Sequence, residues 1–216
     1  MSNRQTHLAH PPHKSDEASA PDHSGGVIAI MQVQPFMGTG VVVTSPAVGT
    51  DGRIDPVFSQ GGDDVSPELV WNPVEEAQAW AVIVQDPDAP QADPVTHWAV
   101  WDLPGPAVGV AQNVEKVARP TTPQDAIQGL NGQGAHGWMG PKPPPGHGVH
   151  RYHFQVFALA KPLGLDPSTP LVELISALKG NTVASGELVG TFETPDAQDL
   201  DSPGRTGSYG ASPETA

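Results

Sequence analysis

Residues 83–103 read IVQDPDAPQADPVTHWAVWDL, two apolar runs parted by an insert with three aspartates and three prolines. Two runs rich in Val, Ile and Trp, broken by Asp and Pro, fit neighbouring β-strands. A plain hairpin needs only about two to five loop residues, with Gly or Asn at the turn. This connection is longer and chemically richer, so it does more than reverse the chain. Asp86 ends the first strand and His97 opens the second. If the strands pair, both side chains reach the same rim of a sheet.

The rest of the chain agrees with a β-rich domain. Candidate strands are Gly40–Thr44, Ala79–Gln85, Thr96–Leu103, Tyr152–Ala160 and Glu187–Phe192, each bounded by turn residues. One helix is expected in STPLVELISALKG. Thr169 is placed as its N-cap and Pro170 at the first helical position. Leu171, Leu174, Ile175 and Leu178 form one apolar stripe, and Gly180 lies past the end. A second short helix is expected near Thr122–Gln128. Strands spaced by turn-rich loops favour an antiparallel sandwich over alternating βαβ units.

The 25 prolines and 24 glycines among 216 residues are about twice the usual share. Part of the excess lies in the ends. Residues 1–32 read as a disordered polar tail, with His7, His10, His13 and His23 scattered through it, and residues 194–216 have the same character. Met31 follows the first tail and is a candidate start residue. The domain is expected over 33–193.

Several function classes are excluded. There is no cysteine, so no disulfide framework and no thiolate zinc site. The formal net charge of −14 opposes nucleic acid and anionic lipid surfaces. No apolar run approaches the ~20 residues that span a bilayer, and the start lacks the apolar core of a secretory signal. A cytoplasmic protein without stable membrane insertion is expected.

Two motifs mislead. Gly132–Gly137 fits G-x-G-x-x-G, but GPKPPPG follows it, where a nucleotide site needs a helix. His147, His150 and His153 recur at three-residue spacing, which suits a metal on a helix. HRYHFQVFAL alternates as a strand, however, so His150 and Tyr152 share one face and His153 takes the other. No metal and no cofactor are expected.

What remains is Asp86, His97, His150 and Tyr152, placed at matched strand–loop junctions. Imidazoles and a phenol donate hydrogen bonds, and a carboxylate fixes which imidazole nitrogen keeps its proton. Such a cavity suits a phosphate-like or carboxylate-like anion, with the proline loop GPKPPPG rigid beside it.

DPDAP, then HW, then GPKPPPGHGVHRYHFQVFAL resemble the phosphatidylethanolamine-binding protein family, in its bacterial Raf-kinase-inhibitor-like branch. TSPAVGTDGRIDPVFSQGGDDVSPELVW is similar to that family's N-terminal segment, and LVELISALKGNTVASGELVGTF to its last helix and strand. The resemblance covers about Val41–Phe192. It implies a mainly β, Greek-key antiparallel sandwich with one or two short helices and a small anion pocket at one rim. It implies Asp86, Asp88, His97, Pro144, His150 and Tyr152 as ligand-binding residues, with Ser66 and Pro67 supporting the wall. Two departures stand out. His136-Gly-Trp138-Met-Gly140 replaces the usual glycine–tyrosine loop, which makes Trp138 a wall candidate, and Lys142 sits where a neutral residue is common.

Three functions follow as expectations. The first is a regulatory module that binds a small anion or phosphorylated head group. The second is a kinase or protease inhibitor acting through its surface. The third is a hydrolase using the Asp/His rim. An enzyme is not expected, because no nucleophile sits beside a base in the sequence.

Overall fold

The computed structural model describes residues 26–35 and 39–195. In chain order it comprises helix α1 (Ala29–Gln32), strands β1 (Thr39–Gly40) and β2 (Val43–Thr44), a 3-10 turn (Pro56–Phe58), and strands β3 (Leu69–Trp71), β4 (Ala79–Asp86), β5 (Val95–Pro104), β6 (Gly109–Val110), β7 (Ile127–Gln128) and β8 (His150–Leu159). Helix α2 (Leu171–Leu178) and strand β9 (Thr182–Phe192) complete it. The fold is mainly β. A six-stranded sheet has the order β1-β9-β8-β4-β5-β7, and a second sheet has β2-β3-β6. Among the described residues the named strands pair antiparallel except β1 with β9, and Arg53 makes a parallel bridge to Thr191.

The two sheets face each other over one core. Val43, Leu69, Trp71 and Val110 of the small sheet meet Trp80, Val82, Val84, Trp98, Val100, Phe154 and Val156 of the large one. The outer face of the large sheet is covered in turn. Leu174, Ile175 and Leu178 of α2 and Ala29 of α1 pack on Ala81, Ile83, Trp101, Phe157 and Leu159. Strand β4 is therefore buried at every position, which is why AWAVIVQD reads as a continuous run and not as an alternation.

After the β4–β5 hairpin the chain makes a long excursion and returns beside β4, not beside β5. A Greek key requires a long return of this kind. It brings His150, at the start of β8, to the end of β4 where Asp86 sits.

Several expectations are corrected. The strand expected over Gly40–Thr44 is two short strands in different sheets, because the chain crosses from one sheet to the other at Val41 and Val42. Helix α2 starts one residue later than expected. Pro170 is extended, at ψ 146°, and its carbonyl accepts from Glu173 and Leu174, so Pro170 and not Thr169 is the N-cap. No helix forms over Thr122–Gln128. Asp125 is left-handed, at φ 65°, and Ile127–Gln128 instead pair with Val100 and Trp101 along the open edge of β5. Residues 26–32, assigned to the tail, join the fold. Ile28 and Ala29 are buried, and the Ala29 and Ile30 amides donate to the Gln85 and Gln155 side chains at 2.8 and 2.6 Å. Residues 26–30, just upstream of Met31, thus belong to the packed domain. The tail histidines His7, His10, His13 and His23, and residues 196–216, lie outside the described residues.

Candidate functional site

The rim site begins with an irregularity. Along the β4–β5 ladder Val84 pairs with Trp98 and Gln85 with Thr96, so His97 is skipped. A bulge of this kind re-aims a side chain. His97 and Trp98 are neighbours in sequence, yet both rings pack against Trp138, at 6.4 and 6.2 Å between centroids. Strict alternation would have sent them to opposite faces.

Four segments then converge. Asp86, the last residue of β4, accepts a hydrogen bond from His150 Nδ1 through Oδ2 at 2.8 Å. Its Oδ1 accepts from the Asp88 amide, also at 2.8 Å, which fixes the carboxylate plane. Asp86 is 3% exposed and His150 1%. His97 donates from Nδ1 to the Met139 carbonyl at 2.6 Å. Its ring stands edge-on to Tyr152, with centroids 4.9 Å apart. The four residues derived from strand ends are brought together.

Their protonation follows from burial. Desolvation holds His97 below its ordinary value, outweighing the Met139 carbonyl and the Asp86 charge, so it is neutral at pH 7. Its Nε2 is then an acceptor. Burial pushes the Tyr152 phenol upward, and the Asp86 and Asp88 charges add to this. The phenol therefore keeps its proton and can donate.

The remaining expected residues have other surroundings. Asp88 is gripped by Arg151, which donates from Nε to Oδ2 at 2.8 Å and from NH2 to Oδ1 at 2.6 Å. The Arg151 amide also donates to Oδ2. Asp88 therefore ties the insert to β8. Arg151, on the opposite strand face, reaches it around the end of β4.

Ser66 is buried and holds the 113–114 turn, its Oγ accepting from the Val114 amide and its carbonyl from the Asn113 amide. Pro67 is buried next to it. Trp138 is not at a mouth. It is buried behind His97, stacks on Phe154 at 6.1 Å and donates from Nε1 to the Phe58 carbonyl at 3.0 Å. Lys142 is exposed. Pro144 is exposed, and its carbonyl accepts from the His147 amide at 3.1 Å. With Pro145 next and Gly146 at φ 75°, residues 144–147 form a type II turn.

That turn delivers a residue not expected at the site. His147 Nδ1 lies 2.7 Å from His150 Nε2. The H-x-x-H spacing carries this signal, as a ring-to-ring contact and not as a pair of metal ligands. His153 faces the other way and bonds Glu187 at 2.8 Å. Among the described residues no group of three His, Asp or Glu could hold a metal ion.

A cavity of about 570 Å³ lies beside the start of β8, lined by Pro46, Ile54, Val149 and Phe192 among others. Its Arg53 and Glu193 side chains are 65% and 40% exposed, so it lacks the buried polar cluster of the rim. Buried, mutually bonded ionisable groups are the stronger pointer to chemistry than volume alone.

Comparison with known proteins agrees with this architecture. The family model described as phosphatidylethanolamine-binding protein matches residues 44–193. The chain belongs to the phosphatidylethanolamine-binding protein family. It is 39% identical over 157 residues to a UPF0098 protein of Pyrococcus abyssi, covering 72% of this chain and 87% of the relative. It is 33% identical over 153 residues to a Mycobacterium tuberculosis protein that carries the name lipoprotein LppC, covering 71% and 72%. The crystal structure of Escherichia coli YbcL superposes with a TM-score of 0.66 at 28% identity, over 72% of this chain and 99% of that one. A homologue from Chlamydia trachomatis, CT736, gives 0.63 at 31%, over 72% and 98%. No helix among the described residues is long and apolar enough to cross a membrane.

Proposed function

We propose that the chain binds a small anion or a phosphorylated head group at the rim and works as a regulatory binding module, not as an enzyme. The observation that carries this is the buried Asp86–His150 pair, closed on one side by His97 and Tyr152. The site offers a phenol donor and imidazoles whose ring planes are fixed by Asp86 and by the Met139 carbonyl. Groups already held in place bind without a further ordering cost. No serine or threonine is bonded to the His97 or His147 ring among the described residues, which weighs against covalent hydrolysis.

The test is calorimetric titration of inorganic phosphate and O-phosphorylethanolamine into the full chain and into His150→Ala. Binding in the wild type that disappears in the variant is the expected result. Absence of binding by both would move the case to inhibition of a kinase or protease through the surface. Compartment does not divide these readings, since phosphate esters occur on either side of a membrane.

A further inference from the structure

The rim site poses a difficulty for an anion ligand. Asp86 is an acceptor, and neutral His97 presents an acceptor at Nε2. His150 has both ring nitrogens engaged, Nδ1 by Asp86 and Nε2 by His147. Of these four side chains Tyr152 is the settled donor. The protein also carries a net charge of −14. An anion needs another donor and a compensating positive charge.

We propose that His147 supplies the donor, as the ligand-contacting end of an Asp86–His150–His147 proton relay that takes up one proton when a phosphate group binds. The proposal rests on the anion-binding reading of the same site. In the resting state Asp86 holds the proton of His150 on Nδ1, which leaves a lone pair on Nε2. His147 must then donate from its own Nδ1 across the 2.7 Å contact. Its Nε2 is a bare acceptor, with no hydrogen bond among the described residues, and the ring is half-buried.

A proton that adds to His147 Nε2 resolves the difficulty. The Nδ1–H bond of His147 breaks as the Nε2–H bond of His150 forms, and His147 stays neutral with its proton now on Nε2. His150 becomes the imidazolium, 2.8 Å from the Asp86 carboxylate that stabilises it. His147 meanwhile presents an N–H to a phosphate oxygen. The proton comes from solvent, and no other reactant is needed.

The groups that surround this chain can be named. From β4 and the insert come Asp86 and Asp88, the latter paired with Arg151. From β5 comes His97, from β8 Tyr152, and from the 64–116 pairing Asp64 with Lys116. The His147–His150 pair joins the buried Asp86 carboxylate to a half-buried ring. The type II turn at 144–147 fixes that ring, since Gly146 holds the left-handed position that the turn needs.

The experiment uses the full chain and inorganic phosphate. Long-range proton–nitrogen spectra of the histidine rings, assigned with His147→Gln, report the tautomers directly. The expected result is Nδ1–H on both His147 and His150 in the free protein, and Nε2–H on His147 with phosphate bound. Calorimetry in buffers of different ionisation enthalpy should show a proton taken up per phosphate in wild type and none in His147→Gln, with affinity down by about tenfold or more.

O-phosphorylethanolamine and vesicles of phosphatidylethanolamine, run in parallel, separate a free phosphate from a lipid head group by which of them competes with phosphate. Loss of phosphate binding in His150→Ala, with affinity and proton uptake unchanged in His147→Gln, overturns the relay and leaves the anion site standing. No phosphate binding by wild type overturns both.

Discussion

His97 donates to the Met139 carbonyl from Nδ1 at 2.6 Å, and this single contact fixes the tautomer of a ring packed on Tyr152 and Trp138. Burial holds its pKa below that of the unfolded chain. Between the two values the unfolded state binds the extra proton. The His97 contribution to stability is therefore complete above about pH 6.5 and is lost as the pH falls below it. His97→Gln should flatten this part of the acid limb in urea unfolding followed against pH. Parallel acid limbs in the two proteins would remove His97 as its source.

Arg151 grips a carboxylate whose side chain is 1% exposed. Arg151→Met leaves the Asp88 charge with fewer donors, at an expected cost of about 2–3 kcal/mol in chemical denaturation. Adding Asp88→Asn to Arg151→Met should recover part of that loss, because the uncompensated charge is then gone. A double variant less stable than the single one would show that Asp88 acts through other partners.

Trp138 fills the space between His97, Trp98 and Phe154. Trp138→Ala removes a buried ring and leaves the Phe58 carbonyl without its donor. The expected loss is about 3–5 kcal/mol. Trp138→Phe should keep most of the packing and lose less. Both are read by thermal unfolding, and a change in phosphate affinity with no change in stability would instead place Trp138 in contact with ligand.

Gly186 in β9 leaves no room for a side chain, since an added Cβ would stand 1.7 Å from the Val41 carbonyl oxygen. That carbonyl belongs to the backbone that runs β1 beside β9. Gly186→Ala should cost about 3 kcal/mol or more, as overpacking against backbone does. Amide exchange at Val41, whose N–H bonds the Ser185 carbonyl, should accelerate well beyond exchange in β4. Unchanged exchange at Val41 would argue that the neighbouring backbone yields without loss of pairing.

Much of this structure was legible in the sequence, and the reasons differ by element. Strands β4, β5, β8 and β9 were found because long apolar runs bounded by Asp, Pro and Gly have few other uses. Strands β3 and β6 are two or three residues long and pair only with other short strands, and β7 forms on the edge of the long β5, none of which a local pattern encodes. Asp86, His97, His150 and Tyr152 were legible because they sit at strand ends. Arg151 and His147 were not. Arg151 alternates away from the site and reaches back through its length, and His147 depends on a turn whose direction Gly146 sets. The docking of residues 26–32 was missed for a similar reason, since its anchors are Gln85 and Gln155, far along the chain.

The skipped pairing at His97 has a consequence for how such a site can arise or vanish. Deleting that one residue would let Val84–Trp98 and Gln85–Thr96 follow one another without a break, with no imidazole against Tyr152. A single codon therefore separates a sheet edge that carries the buried histidine cluster from a purely architectural one. Among descendants of one ancestral sandwich, small insertions and deletions in this strand would switch recognition on or off while leaving the scaffold intact.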